Sequence, residues 1–505
     1  LLSLLLLRSP YRSALPSGSL IFIPVTAALL FVAHPLATES VTYIIQRFTS
    51  LSTLLYLLTL WFYFGSLNTA SVRRLWVLRS SAVVVLVLGM LTKEDVFTAP
   101  MMAVLIDLLV NGTRLVLALK RSLPLLLCLP IIPALVIFTS MARHDGQFRF
   151  ENALNIVNRI DDPVNHWHYI VTQITVVGSY LQHIFWPVGL NIDPEWPMYQ
   201  SLLETPVILV LAALVTLITG VGWMWRHNRN DPRSCIAFVF TLWFFITVSI
   251  SSGLVPLPDL MADHRTYLPS IGIFILVACL LDRLRNWTWQ PTLIRKLVPT
   301  IAALCISALA WTTCVRNEVW RTHISLWEDS VAKSPGKYRA WSNLGGAYSY
   351  LGREEEAAKC FHKSIQIEPR FGFGSFNLSN SLLRLGRPQE ALNAVTKMID
   401  LNKDAGTQPD VVYTVGLSLV GLGRYDEALA IFKRIVEVMP DHVHAHRASA
   451  MVYRKTNNPQ LALEHYRIIA KIQPPDENLL SEIRKTEAVL ENPLNPVSSA
   501  NFRLR

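Results

Sequence analysis

The side chains in this sequence best placed to do chemistry are charged residues set against apolar runs. His34-Pro35 is followed by Glu39, Tyr43, Gln46 and Arg47, which reads as a polar face on a helix entering an apolar segment. Lys93-Glu94-Asp95 sits between two apolar runs with almost no loop, and Asp263-His264-Arg265 directly precedes Tyr267 and Pro269 at a helix start. Asp193 is a further carboxylate in the stretch 191–204. A charge at membrane depth costs ~2.5–3.5 kcal/mol on insertion scales, so such residues persist where they pair or work. The plainer alternative is that Lys93/Glu94 and Asp263/Arg265 are interfacial ion pairs that only orient helices. Three clusters on one face weigh against it.

The elements that must position these residues follow from composition. Hydrophobic residues make up 51% of the 505 residues and charged residues only 16%, against ~25% charged in a typical soluble domain. Up to about residue 315 the excess is concentrated in apolar runs at 19–33, 51–65, 76–91, 96–110, 123–142, 169–188, 207–225, 235–254, 267–281 and 298–315. In lipid every backbone polar group must be paired internally, so these read as helices. Basic clusters at Arg73/Arg74, Arg114/Lys120/Arg121, Arg226/Arg229/Arg233 and Arg283/Arg285/Arg295/Lys296 mark cytoplasmic loops. The stretches 34–47, 93–95, 141–167, 191–204 and 256–266 then face outward, which prevents 169–188 from being one simple crossing. The net charge of +10 is accounted for by these loops, and nucleic acid is not a predicted partner.

Beyond residue 316 the pattern changes to amphipathic helices with a 34-residue period, the spacing of tetratricopeptide (TPR) repeats. Trp341, Leu344, Gly345, Tyr348, Ala357, Phe361 and Pro369 occupy that repeat's offsets. Ala391 falls 34 residues after Ala357, Ala428 falls 37 after Ala391, and Ala462 falls 34 after Ala428, implying an insertion near residues 404–408. Leu326, Trp327 and Pro335 match the second half of a preceding repeat. Residues 475–491 read as the capping helix that a solenoid needs, and the tail beyond 492 reads as disordered.

Other signals carry less. Asp161-Asp162 beside Pro163 reads as a solvated turn, and Asn377-Leu378-Ser379 falls inside a packed repeat helix. His442, His444 and His446 spread around a helix axis, which disfavours a metal site. Of the six cysteines, five lie in apolar segments, and no C-x-x-C spacing supports a disulfide framework or zinc. No P-loop, G-x-G-x-x-G or H-E-x-x-H occurs. Leu1 opens an apolar run without the marks of a signal peptide, so the sequence reads as a fragment beginning inside a membrane helix.

Taken in order, His34-Pro35-Leu36, Glu39-Ser40-Val41, Tyr43, Arg47, Leu91-Thr92-Lys93-Glu94, the run from Phe185 to Asp193, Asp263-His264-Arg265-Thr266-Tyr267-Leu268-Pro269 and Leu326-Trp327-Glu328-Asp329-Ser330 resemble the transmembrane-and-TPR-containing O-mannosyltransferases, and more closely their bacterial multi-pass relatives. The resemblance implies an all-α protein with a GT-C-like polytopic membrane domain and a TPR α-solenoid. It implies an enzyme that moves a sugar, mannose in related enzymes, from a polyprenyl-phosphate carrier to a protein hydroxyl at the outer face. No cofactor is tightly bound, no metal is required, and the lipid-linked sugar is the donor.

On that reading Glu94 and Asp263 are the candidate catalytic carboxylates, and Glu39, Arg47, Lys93, Asp193, His264 and Arg265 are the candidate substrate-binding residues. Basic groups at the outer rim would stabilise the phosphate leaving group as its charge grows, and a carboxylate would deprotonate or orient the acceptor hydroxyl. The resemblance places the principal catalytic aspartate in a first external loop, upstream of Leu1.

The chain therefore divides into a membrane domain at 1–316, a junction and half-repeat at 317–337, four TPR repeats at 338–476, and a cap and tail at 477–505. The expected setting is a bacterial inner membrane with periplasmic repeats, or the endoplasmic reticulum membrane with lumenal ones. The partners expected are the bilayer, the lipid-linked sugar and an acceptor or partner protein in the TPR groove. The rival reading is a non-catalytic membrane anchor whose repeats assemble envelope proteins.

Overall fold

Long runs of apolar residues leave the backbone one way to satisfy itself in a non-aqueous surrounding, and the computed structural model is correspondingly helical. It describes residues 2–8, 15–16, 18–143, 165–254, 257, 259–286 and 292–491, all of whose regular elements are helices. Asp161-Asp162 and the tail beyond 492 lie outside the described residues. The chain forms two units, Leu1–Thr322 and His323–Arg505.

In the first unit the helices are α1 (Leu2–Arg8), α2 (Ser19–Ala33), α3 (Ala37–Thr42), α4 (Arg47–Ser66), α5 (Val72–Thr92), α6 (Ala99–Leu109), α7 (Leu115–Leu126), α8 (Ile131–Arg143), α9 (His166–Phe185), α10 (Thr205–His227), α11 (Pro232–Ser249), α12 (Tyr267–Arg285) and α13 (Thr292–Val319). Among the described residues seven stretches are long and apolar enough to cross a membrane: Ile44–Ser66, Val72–Thr92, Leu115–Thr139, Thr205–His227, Pro232–Gly253, Asp263–Arg285 and Arg295–Val319. These mark the chain as a membrane protein. α4 packs on α5, and α12 packs on both α11 and α2. Gly272 permits the α11–α12 contact, because a Cβ there would collide with the Phe240 carbonyl.

Two polar rims lie at opposite ends of these helices. At one, the fully buried Asp282 accepts hydrogen bonds from Arg233 (3.2 Å) and Arg285 (2.7 Å), while Arg283 donates to Asn228 (2.8 Å) and Ser234 (2.9 Å). Arg233, Arg283 and Arg285, expected only as loop charge, thus bind the helix ends together. Asp107 does the same for α6 and α7 through Arg121 (3.4 Å) and Thr113 (3.0 Å). The other rim carries the candidate site.

α9 corresponds to the apolar run 169–188. Tyr169 donates to the Ser251 carbonyl (3.3 Å), Gln173 to the Leu260 carbonyl (2.8 Å), Tyr180 accepts from the Ala262 amide (3.2 Å), and His183 meets Asp263 (3.2 Å). Side chains spread along the whole of α9 therefore address one connection, residues 251–263, and the helix lies beside that connection.

In the second unit α14 (His323–Lys333) precedes four helical hairpins: α15 (Tyr338–Tyr350) with α16 (Glu354–Ile367), α17 (Gly372–Arg384) with α18 (Pro388–Leu401), α19 (Pro409–Gly421) with α20 (Tyr425–Val438), and α21 (Val443–Lys455) with α22 (Pro459–Ile472). α23 (Glu477–Glu491) packs on α22. In two hairpins a glycine faces the ring sixteen positions on, Gly345 with Phe361 and Gly416 with Phe432, and Ser379/Val395 and Ala450/Tyr466 stand at the same offset in the others. A Cβ on Gly345 would sit 2.7 Å from the Phe361 ring. Three hairpin turns place Gly352, Gly386 and Gly423 at φ +74, +73 and +75, and the fourth uses Asn457 at φ +59. The insertion predicted near 404–408 is a 3₁₀ turn, Lys403–Thr407.

Candidate functional site

The second rim is built where α3, the connection that follows α9 and the one that precedes α12 meet. Pro35 ends α2 and its neighbour His34 turns inward, almost fully buried. The His34 Nδ1 accepts the Leu36 amide (3.2 Å) and its Nε2 faces the Ile184 carbonyl (2.9 Å). A carbonyl can only accept, so the ring is the neutral Nε2–H tautomer. Burial pushes its pKa down to about 4, against the smaller upward pull of the Ile184 carbonyl, and the nearby His183 adds to the depression.

Two carboxylate–imidazole pairs follow. Glu39, buried on α3, accepts from the backbone amide of His264 through Oε2 (3.1 Å), and its Oε1 lies 2.7 Å from His264 Nδ1. Asp263 Oδ1 lies 3.2 Å from His183 Nδ1, while Oδ2 accepts the Asn191 amide (3.2 Å). A carboxylate on Nδ1 orients an imidazole and leaves Nε2 as the nitrogen able to exchange a proton. Beside these pairs is a small recess lined by Thr38, Glu39, Leu190, Asp263, Arg316 and Trp320, among others. Two groups of its lining are buried without a hydrogen-bond partner among the described residues, Thr38 Oγ1 and Trp320 Nε1. Both can donate, and Arg316 brings positive charge to the same recess.

The candidate residues divide among four places. Glu39, Asp263 and His264 come together at the recess, with buried Asp193 next to them through its amide bond to Asn191 Oδ1 (3.3 Å). Lys93 belongs to a neighbouring cluster, where its Nζ donates to Thr49 Oγ1 (2.9 Å) and pairs with Asp95 (3.2 Å). Arg265 is buried with its guanidinium near Tyr169 and Tyr180. Arg47 and Glu94 are exposed, and Arg47 donates to the Val41 carbonyl (3.3 Å). The charged groups thus share the rim without forming one cluster. His183, Asn191, Thr38, Arg316 and Trp320 were not among the sequence-derived candidates. His183 carried a readable signal, an imidazole three residues before the Trp-Pro that ends an apolar run.

Elsewhere, His446 Nε2 faces the Pro440 carbonyl (3.0 Å) and its Nδ1 lies 2.9 Å from His465 Nδ1. His442 caps α21 by accepting the Ala445 amide (3.0 Å). No group of three or more potential metal ligands occurs among the described residues.

Tetratricopeptide-repeat family models match residues 338–371 and 413–477. Mouse "Protein O-mannosyl-transferase TMTC3" is 22% identical over 486 residues, covering 87% of this chain and 50% of that protein. The human protein of the same name is 22% identical over 514 residues, covering 95% and 55%. The chain is a relative of the TPR-containing protein O-mannosyl-transferases. It spans about half the length of the curated relatives it matches. Drosophila "Protein O-mannosyl-transferase Tmtc2" matches at 31% over 117 residues, 23% of this chain and 12% of that protein. Among solved structures, YrrB, described as a TPR protein with an unusual peptide-binding site, covers 35% of this chain and 89% of its own at 24% identity and TM-score 0.29.

Proposed function

We propose that this chain acts as a membrane glycosyltransferase that moves a sugar, mannose by analogy with its relatives, from a polyprenyl-phosphate carrier to a protein hydroxyl. The observation that carries the reading is the recess at the second rim, where two carboxylate–imidazole pairs stand beside Arg316, Thr38 and Trp320. In such a transfer the acceptor oxygen bonds to the anomeric carbon, the carbon–phosphate-oxygen bond breaks, and its electron pair leaves on the phosphate. The acceptor proton must pass to a base. Arg316, with the Trp320 N–H and the Thr38 hydroxyl, supplies positive charge and donors for the leaving phosphate. Glu39 and Asp263 hold His264 and His183 in one orientation, which suits an imidazole for positioning or for accepting a proton.

The lipid tail of the donor requires this rim to lie at headgroup level on the outer or lumenal face, with the basic rim of Arg233 and Arg283 cytoplasmic. The repeats then serve to recruit the acceptor or a partner protein, the general use of such arrays. A second reading, a membrane anchor for a TPR scaffold, draws on one observation: every carboxylate oxygen of Glu39 and Asp263 already has a partner. The two readings part on one experiment. The full-length chain is reconstituted in liposomes with radiolabelled polyprenyl-phosphate mannose and Ser/Thr-containing peptides. Transfer to peptide supports the enzyme, and its absence with intact folding supports the scaffold.

A further inference from the structure

Beyond the recess, the same rim holds a second buried polar site around the Ile250–Leu254 turn that follows α11. Asp95 lies in the 3₁₀ turn Glu94–Thr98, which packs against that turn. Asp95 is more than nine-tenths buried; Oδ2 pairs with Lys93 (3.2 Å), but Oδ1 has no hydrogen-bond partner among the described residues. Ser252, inside the turn and departing from helical geometry at φ −125, is equally buried, and its hydroxyl has no partner among the described residues. On the other side Tyr169 holds the Ser251 carbonyl, and the buried Arg265 beside Tyr169 has Nη1 without a hydrogen-bond partner among the described residues.

A buried polar atom without a partner is rare, because its desolvation goes uncompensated. Here a carboxylate oxygen and a hydroxyl belong to two turns packed on each other, and a guanidinium N–H lies beside the tyrosine that holds one of them. Their complement is a molecule that donates from a hydroxyl to Asp95 Oδ1 and presents an oxygen to Arg265. Lys93 holds the opposite oxygen of Asp95, and Thr49 fixes the lysine, so Oδ1 is held in place by the protein alone.

We propose that Asp95, with Ser252, binds a substrate hydroxyl during glycosyl transfer, and that Asp95 rather than Glu94 is the working carboxylate of the Lys93-Glu94-Asp95 run. This rests on the transferase reading above. The hydroxyl belongs either to the donor sugar or to the acceptor, and the experiment separates the two. The full-length chain and its D95N and S252A variants are purified, and thermal shifts are recorded with polyprenyl-phosphate mannose and with sugar-free polyprenyl phosphate, followed by transfer kinetics to a Ser/Thr peptide.

If Asp95 holds the sugar, D95N weakens binding of the mannose-bearing lipid about ten-fold and leaves the sugar-free lipid unaffected. If it holds the acceptor, donor shifts are retained while KM for the peptide rises by a similar factor. S252A removes a hydroxyl that bonds nothing among the described residues, so it separates a binding defect from misfolding and moves in the same direction by a smaller factor. Variants that match the wild-type chain in both measurements overturn the assignment of Asp95 and leave the transferase reading standing. A wild-type chain that neither shifts nor transfers overturns both.

Discussion

Glu39 Oε1 lies 2.7 Å from His264 Nδ1 while Oε2 takes the backbone amide of the same histidine, so one buried carboxylate grips one residue twice across 225 positions of sequence. The contact ties α3 to the start of α12 and gives His264 a fixed ring. Replacing Glu39 by alanine removes both bonds and lowers kcat by about ten-fold or more, whereas glutamine keeps one acceptor and loses less. Transfer kinetics of E39A and E39Q in the full-length chain, with circular dichroism to verify folding, check the order.

The Asp95 and Glu94 substitutions separate neighbours of the same charge. Glu94 is exposed and makes no described contact, whereas Asp95 is buried against Lys93. D95N is expected to reduce transfer several-fold more than E94Q in parallel assays. An equal or reversed effect assigns the role to Glu94.

His34 gives a pH signature. Its folded pKa of about 4 lies below the ordinary histidine value near 6.5, so between those values the unfolded chain binds a proton that the folded chain excludes. Stability is therefore lost as pH falls from about 6.5 to 4, at no more than ~1.4 kcal/mol per pH unit for one group. His465, depressed by burial and by His446, acts in the same direction. Heat inactivation of wild type and H34Q across that range should show the smaller slope in H34Q.

The repeats supply a packing test. At Gly345 and Gly416 any side chain meets the Phe361 and Phe432 rings, so valine at either position overpacks the hairpin by ~1–3 kcal/mol. Hydrogen exchange on the full-length chain should rise in the affected hairpin. E390Q, by contrast, removes an exposed partner of Arg387 on α18 and should leave the exchange pattern unchanged.

Much of this was legible in the residues. The small/large offset of Gly345 with Phe361 and the 34-residue spacing of Ala357 and Ala391 announce the repeat hairpins, because their period is local. Apolar runs located the helices for the same reason. The juxtaposition of Glu39 with His264 was half legible, since both flank apolar runs on the outward side, but their pairing depends on which helices neighbour each other. His183 and Trp320 were hidden more completely. Each looks like an ordinary interfacial residue until α9 is laid beside 251–263 and the end of α13 reaches the recess. Choosing Asp95 over Glu94 required burial, which alternates between adjacent residues of a tight turn and leaves no mark in composition.

The most direct test of the account is single-turnover transfer of mannose from radiolabelled polyprenyl-phosphate mannose by the full-length protein in liposomes, compared with its D263N variant. The account predicts transfer by the wild-type chain and a loss of about ten-fold or more in D263N, whose amide disturbs the hold on His183. Equal transfer by the two proteins, or none by a folded wild type, would contradict it.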